Sequence, residues 1–257
     1  MNDDVYGIKK WGNDILEILE NGNIGLKNPF HPDNSPADLI KIIKSLNERG
    51  ISCPVLLRVT DYLAFRIKQI NNSFFRAILE LRYKGEYKGV FPVKVNQQAQ
   101  VIDRIVEFGK EFDFGLEVGS KPELLIALAH DLSANSTIIC NGIKDREFIH
   151  LAILSIKIGF KTILVLESPR ELDLIIKISK ELNIRPLLGI RVKLTNKVSG
   201  NWSQSSGDRS VFGLSVEQVM EVINKLKIYD YLDCLILQHS HLGSQIPDII
   251  EIRKATQ

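Results

Sequence analysis

Cysteine is scarce in this chain: Cys53, Cys140 and Cys234 are the only three among 257 residues. They are odd in number, far apart and form no C-x-x-C pair, so neither a disulfide framework nor a cysteine-based zinc site is indicated. Each lies beside apolar residues and reads as a small core side chain. An excess of charge is missing too. With 33 basic and 31 acidic residues the formal net charge is +2, too balanced for nucleic acid or an anionic membrane as the main partner. No uncharged apolar run approaches the length of a bilayer span. Met1-Asn2-Asp3-Asp4 lacks the basic-then-hydrophobic order of a secretory leader, so a reducing cytoplasm is the expected location. What is present is ordinary for a globular protein, with 44% hydrophobic and 25% charged residues.

Residues 1–34 show little periodicity and several Gly and Pro, which predicts short strands or coil. A helix is expected next, capped by Ser35 with Pro36 in its first position and Asp38 near its positive end, and closed by Gly50. A second helical stretch covers about Thr60 to Leu81. From Val90 onward, short apolar runs alternate with helical patterns. Val90–Val95, Phe112–Val118, Thr137–Cys140, Thr162–Leu166, Leu187–Val192 and Cys234–Gln238 each precede a helix. Six strand–helix units of this kind are the mark of a parallel α/β fold, either a doubly wound sheet or part of an eightfold barrel. No G-x-G-x-x-G follows the first strand, which weakens a dinucleotide reading. Ser120-x-x-Glu123, Ser168-x-x-Glu171 and Ser215-x-x-Gln218 read as capping boxes. They place the β-to-α turns, and α/β proteins build their sites at those turns. The division expected is an extension over residues 1–85 and an incomplete barrel over 86–257. The chain stops inside a helical pattern, two units short of eight.

The stretch with the most chemistry in it is Val90-Phe91-Pro92-Val93-Lys94-Val95-Asn96. It reads as a buried strand with one lysine in it. Burial disfavours an ammonium and leaves a nucleophilic amine, able to condense with an aldehyde such as pyridoxal phosphate. The plainer reading is a strand-end lysine reaching to water. Other polar residues fall at the ends of the following strands: Glu117, Asn141, Arg191, and Gln238-His239-Ser240-His241-Leu242-Gly243-Ser244-Gln245. His239 or His241 could lie flat against a pyridine ring, and Gly243-Ser244 could donate to a phosphate. The two histidines, spaced i, i+2, could instead bind a metal or be ordinary strand-end residues. Glu117 and Arg191 could simply pair with each other inside the barrel. Ser203–Ser210 is better read as a surface loop than a phosphate loop.

The motifs resemble the biosynthetic arginine decarboxylases, which have the alanine-racemase-like barrel. The likeness begins at Tyr6-Gly7-Ile8-Lys9-Lys10-Trp11-Gly12 and is strongest at Phe91-Pro92-Val93-Lys94-Val95-Asn96-Gln97. It continues in order through Gly115-Leu116-Glu117-Val118-Gly119-Ser120-Lys121-Pro122-Glu123, Ile139-Cys140-Asn141-Gly142-Ile143-Lys144-Asp145 and Leu188-Gly189-Ile190-Arg191. It closes with Gly200-Asn201-Trp202-Ser203 and His241-Leu242-Gly243-Ser244-Gln245. The resemblance implies decarboxylation of L-arginine to agmatine, for polyamine and spermidine synthesis, with pyridoxal 5′-phosphate and a magnesium requirement. It implies that Lys94 holds the cofactor, His241 stacks on its ring, Glu117 and Arg191 line the ring pocket, and Gly243 and Ser244 meet the phosphate. It also implies a dimer-based assembly. The family's glycine-rich phosphate loop, its acidic strand and most of its β-domain have no counterpart in residues 1–257. Val211 stands where the family usually has a basic residue. Two other functions remain open: decarboxylation of another basic amino acid (diaminopimelate or ornithine), and a pyridoxal phosphate-binding barrel without catalysis.

Overall fold

The structure, a computed structural model, describes residues 5–193, 212–243, 246 and 248–255. The chain divides into two compact units, Met1–Glu86 and Tyr87–Gln257.

In the first unit a short helix α1 (Ile8–Trp11) precedes strands β1 (Leu16–Ile18), β2 (Ile24–Leu26) and β3 (Ala37–Asp38), which form an antiparallel sheet in that order. Helices α2 (Leu39–Glu48) and α3 (Asp61–Glu80) follow. The expected start of α2 shifts. Residues 37–38 pair with β2, so Ser35 and Pro36 lie before that strand, and Asp38 is the cap. Its carboxylate accepts from the backbone N–H groups of Ile40 and Lys41, at 2.9 and 3.2 Å. It also accepts from the amides of Asn23 and Asn21. The Asn23 amide leads in holding its pKa down at about 2. Cys53 is exposed on the irregular segment between the two helices, where no core forms around it, contrary to the reading of all three cysteines as core residues.

In the second unit, strands β4 (Val90–Pro92), β5 (Gly115–Val118), β6 (Thr137–Cys140), β7 (Lys161–Leu166), β8 (Leu187–Arg191) and β9 (Leu235–His239) form one parallel sheet. Helices α4 (Ala99–Gly109), α5 (Lys121–Leu128), α6 (Arg146–Lys157), α7 (Pro169–Leu182), α8 (Val216–Tyr229) and α9 (Ile249–Ala255) alternate with them. The spatial order is the chain order, β4 to β9, with no reversal. A doubly wound sheet reverses at its switch point and a barrel does not, so the arrangement is that of a barrel wall. The packing agrees. The main core joins the helices to one face of the sheet, through Phe148, Ile149, Leu164, Leu172 and Ile175 among others. On the other face Ile139, Ile163 and Val165 form a second cluster, against which Val90 of the first strand and Leu237 of the last both pack. First and last strands can share that cluster because the sheet curls. Among the described residues no helix is long and apolar enough to cross a membrane.

The helix starts differ from the expected boxes in an instructive way. Only Ser215 and Gln218 form a complete capping box. Ser120 accepts from the N–H of Glu123, but the Glu123 carboxylate reaches one residue further back and accepts from Gly119, at 2.7 Å. Glu171 likewise passes the Ser168 cap and accepts from the N–H of Glu167. In both places the glutamate ties down the last turn of the strand and not the cap itself.

Candidate functional site

The sheet directs its polar strand ends to one rim. β4 stops at Pro92, which has no N–H to extend the ladder, and residues 93–95 form a 3₁₀ turn. Lys94 lies on that turn and is exposed, not buried in a strand as the sequence suggested. β4 is an edge strand among the described residues, so nothing flanks the lysine on one side. Val93 beside it is fully buried and anchors the turn.

Glu117 is the penultimate residue of β5 and Asn141 directly follows β6. The Asn141 side-chain amide donates to Glu117 Oε1 at 2.9 Å, and both residues are buried. Glu167 directly follows β7. Its Oε1 accepts from the Arg191 guanidinium at 2.9 Å and from the N–H of Gly142 at 3.1 Å. The suggested Glu117–Arg191 pair is thus replaced by Glu167–Arg191, because β7 adjoins β8 whereas β5 lies three strands from it. Gly142 has φ of 73°, and a Cβ there would press on the Gly119 carbonyl oxygen at 3.0 Å, so the turn that delivers its N–H favours glycine. The Arg191 guanidinium lies 5.2 Å from the Phe212 ring centroid. Strand β9 ends at His239, and His241 follows two residues on. Their rings are nearly parallel, at 11°, with centroids 6.5 Å apart. Burial pushes the His239 pKa down to about 4, with Arg191 next in effect and Glu167 opposing. Burial, then Arg191 and Lys94, also lowers His241. Lys94 also lowers both rings, and Val90 of its strand and Leu237 of β9 pack against one cluster, so the first and last strands lie on the same side of the sheet. Gly243 has φ of 143°, a conformation side chains disfavour. Ser244, the Ser203–Ser210 stretch and Val211 lie outside the described residues.

Four buried polar atoms here have no hydrogen-bond partner among the described residues: Glu117 Oε2, Asn141 Oδ1, Glu167 Oε2 and His239 Nε2. Left so, each would cost about 1–3 kcal/mol. Polar atoms at the end of four strands, aimed at one place, are the mark of a site for a polar ligand. Glu167 escaped the sequence reading, and its neighbours Glu171 and Lys144 entered it only as a capping residue and as part of a motif. The signal that would have found Glu167 is positional: like Glu117 and Asn141, it is a polar residue at the C-terminal end of an apolar strand.

Comparison with known sequences then decides the family. Residues 67–257 match the profile of the pyridoxal-dependent decarboxylases, pyridoxal-binding domain. The chain belongs to this decarboxylase family. It is 46% identical over 252 residues to the biosynthetic arginine decarboxylase of Prochlorococcus marinus (strain MIT 9312), covering 98% of this chain and 39% of that protein. The enzyme of the same name from Gloeobacter violaceus is 45% identical over the same span. Among solved structures, the biosynthetic arginine decarboxylase of Campylobacter jejuni superposes with a TM-score of 0.84 at 35% identity, over 97% of this chain and 39% of that one. The diaminopimelate decarboxylase of M. jannaschii, with a TM-score of 0.69 at 23% identity over 95% of this chain and 52% of that one, shares the fold. The chain therefore spans about two-fifths of the length of its curated arginine decarboxylase relatives.

The rim fits the family's cofactor. Pyridoxal phosphate carries an aldehyde for an amine, a flat ring, and hydroxyl and pyridine N–H groups that can meet orphaned acceptors. Among the described residues no three His, Cys, Asp or Glu side chains are grouped as metal ligands.

Proposed function

We propose that this chain is the pyridoxal phosphate-binding part of an arginine decarboxylase, which converts L-arginine to agmatine and CO₂ for polyamine synthesis. The observation that carries this reading is the convergence of Lys94, Arg191 and the two histidines on a rim with four orphaned buried polar atoms. Lys94 Nζ is the anchor for the aldehyde, and the 3₁₀ turn presents it at the strand end. His241 is the ring that stacks on the pyridine. Burial disfavours its cationic form, which suits a flat face on the ring. Glu117, held by Asn141, presents an acceptor to the ring substituents, and Arg191, held by Glu167, supplies positive charge. Gly243 and Ser244 serve the phosphate. When bound, pyridoxal phosphate supplies the sink for the electron pair left behind as CO₂ departs. Lys94 would hold the aldehyde until a substrate amine replaced it, and its freed Nζ would then be available to carry a proton at the rim. The setting is cytoplasmic, with a homodimer completing the site and magnesium as a further requirement. Nucleic acid and membrane are not partners.

Borohydride reduction of the chain with pyridoxal phosphate, followed by peptide mapping, tests the cofactor site. A stable adduct on Lys94 is expected, and scattered labelling of surface lysines would refute it. Assays of the full-length protein for CO₂ release from arginine, ornithine and diaminopimelate then separate the substrates. Agmatine from arginine alone is expected. Adduct without any decarboxylation would mark a cofactor-binding barrel without catalysis.

A further inference from the structure

The rim has a buried support. Glu171 on α7 and Lys144 after β6 are both buried, and the Lys144 side chain is wholly so. Glu171 spans two strand ends with its two oxygens: Oε1 accepts from the N–H of Lys144 at 3.0 Å, and Oε2 from the N–H of Glu167 at 2.9 Å. The Lys144 ammonium lies 3.4 Å from Glu171 Oε1 and donates to the Gly142 carbonyl oxygen. Gly142 in turn donates its N–H to Glu167. The β6 and β7 turns are thereby locked around one carboxylate, Glu167, whose side chain is 2% exposed. One oxygen of that carboxylate holds Arg191 and the other is unpartnered.

The geometry points to Glu167 as a positioning residue of the cofactor site: it fixes the Arg191 guanidinium at the rim, and Glu171 with Lys144 fixes Glu167. The physical logic is that of a braced charge. A guanidinium at a strand end has several rotamers and would otherwise turn towards water. A buried carboxylate with one oxygen committed to a backbone N–H has a single orientation, and the charged hydrogen bond transfers that orientation to Arg191. The same pair sets the field at the histidines. Lys94, Arg191, Glu167 and the partner imidazole are the charged or titrating groups acting on His239, and the first three also act on His241. Arg191 and Glu167 push in opposite directions.

This inference rests on the cofactor reading above, and a double-mutant cycle separates the two. The proteins are wild type, Glu167→Gln, Arg191→Met and the double variant. Glutamine keeps the shape and one acceptor oxygen, removes the charge and replaces the other oxygen with an N–H donor. Folding is checked by far-UV circular dichroism, and Glu167→Asp, which keeps the charge, serves as a second variant. Pyridoxal phosphate affinity, read from its visible absorption, falls about tenfold in Glu167→Gln and is partly restored in Glu167→Asp. In the Arg191→Met background the same glutamine change alters affinity less than about twofold, because there is no guanidinium left to hold. Equal losses in both backgrounds, or none in either, would overturn the inference. Nuclear magnetic resonance titration of His239 and His241 gives a second readout without cofactor. Glu167→Gln lowers both midpoints in the Arg191→Met background. With Arg191 present the released guanidinium offsets that change by about half a pH unit. Identical shifts in the two backgrounds would also overturn it. Wild-type protein that takes no pyridoxal phosphate at Lys94 would refute the cofactor reading, and the histidine titrations would still decide whether Glu167 holds Arg191.

Discussion

The two units use the same device, an amphipathic helix, to opposite effect. Helix α7 buries Leu172, Ile175, Ile176 and Ile178 against its own sheet. Helix α3 is longer, yet buries only Ile67 and Asn71, and leaves Phe75 and Leu79 about 60% exposed. Helix α2 buries no residue at all. The difference lies in what each helix has within reach. A β/α unit brings its own cover, because the strand just before the helix joins the sheet on which the helix packs. The first unit has three strands of two or three residues each and cannot cover two helices. Periodicity specifies a helix; whether its apolar face is covered depends on partners elsewhere.

Paired truncations test this contrast most strongly. Phe148→Ala, at a site 1% exposed, is expected to cost about 4 kcal/mol in urea denaturation. Phe75→Ala, at 59% exposed, should stay within about 0.5 kcal/mol. Similar losses at the two would mean that α3 is covered in solution. The next largest effect belongs to the buried ion pair. Glu171→Ala strands the Lys144 charge, with an expected loss of about 3 kcal/mol, and Glu171→Leu with Lys144→Met should recover most of it. Failure of the double replacement to recover stability would show that the backbone contacts of Glu171 matter more than its charge.

Smaller effects confine themselves to one unit. Asp38→Ala removes the α2 cap, and hydrogen exchange should rise in α2 while the amides of β5–β8 stay protected. Faster exchange in both units would break the separation. The histidines give the pH dependence of the second unit. His239 titrates near 4 in the folded chain against about 6.5 when unfolded, so between those values the unfolded state binds more protons. Stability contributed by the neutral ring is complete above about 6.5 and is lost as pH falls towards 4, with His241 acting in the same direction. Denaturation midpoints measured across that window should rise with pH, and the slope should shrink in His239→Phe.

Much of the fold was legible because its signals are local. The six apolar runs became six strands, the run at Thr137–Cys140 without change of bounds. The polar residues at their ends do gather at one rim. Other features were misread where a neighbour in space overruled a neighbour in sequence. Ser35 lost the cap of α2 to Asp38 once residues 37–38 paired with β2. Glu123 and Glu171 left their serine caps because an N–H one residue earlier was free at the strand end. Lys94 looked buried because its flanks are apolar, yet it sits past Pro92 at the edge of the sheet.

The sequence by itself determined the alternation of strand and helix, and with it a parallel sheet and the chemical types at its rim. Those properties follow from periodicity, caps and turn residues a few positions apart. Only the tertiary structure decided the winding of the sheet in chain order, the exposure of Lys94 and the pairing of each charge: Arg191 with Glu167, Asn141 with Glu117, Lys144 with Glu171. Each pair joins residues 24 to 27 positions apart, and its geometry depends on strand register and sheet curvature. Those are set by the packing of the whole core, so no short stretch of chain encodes them.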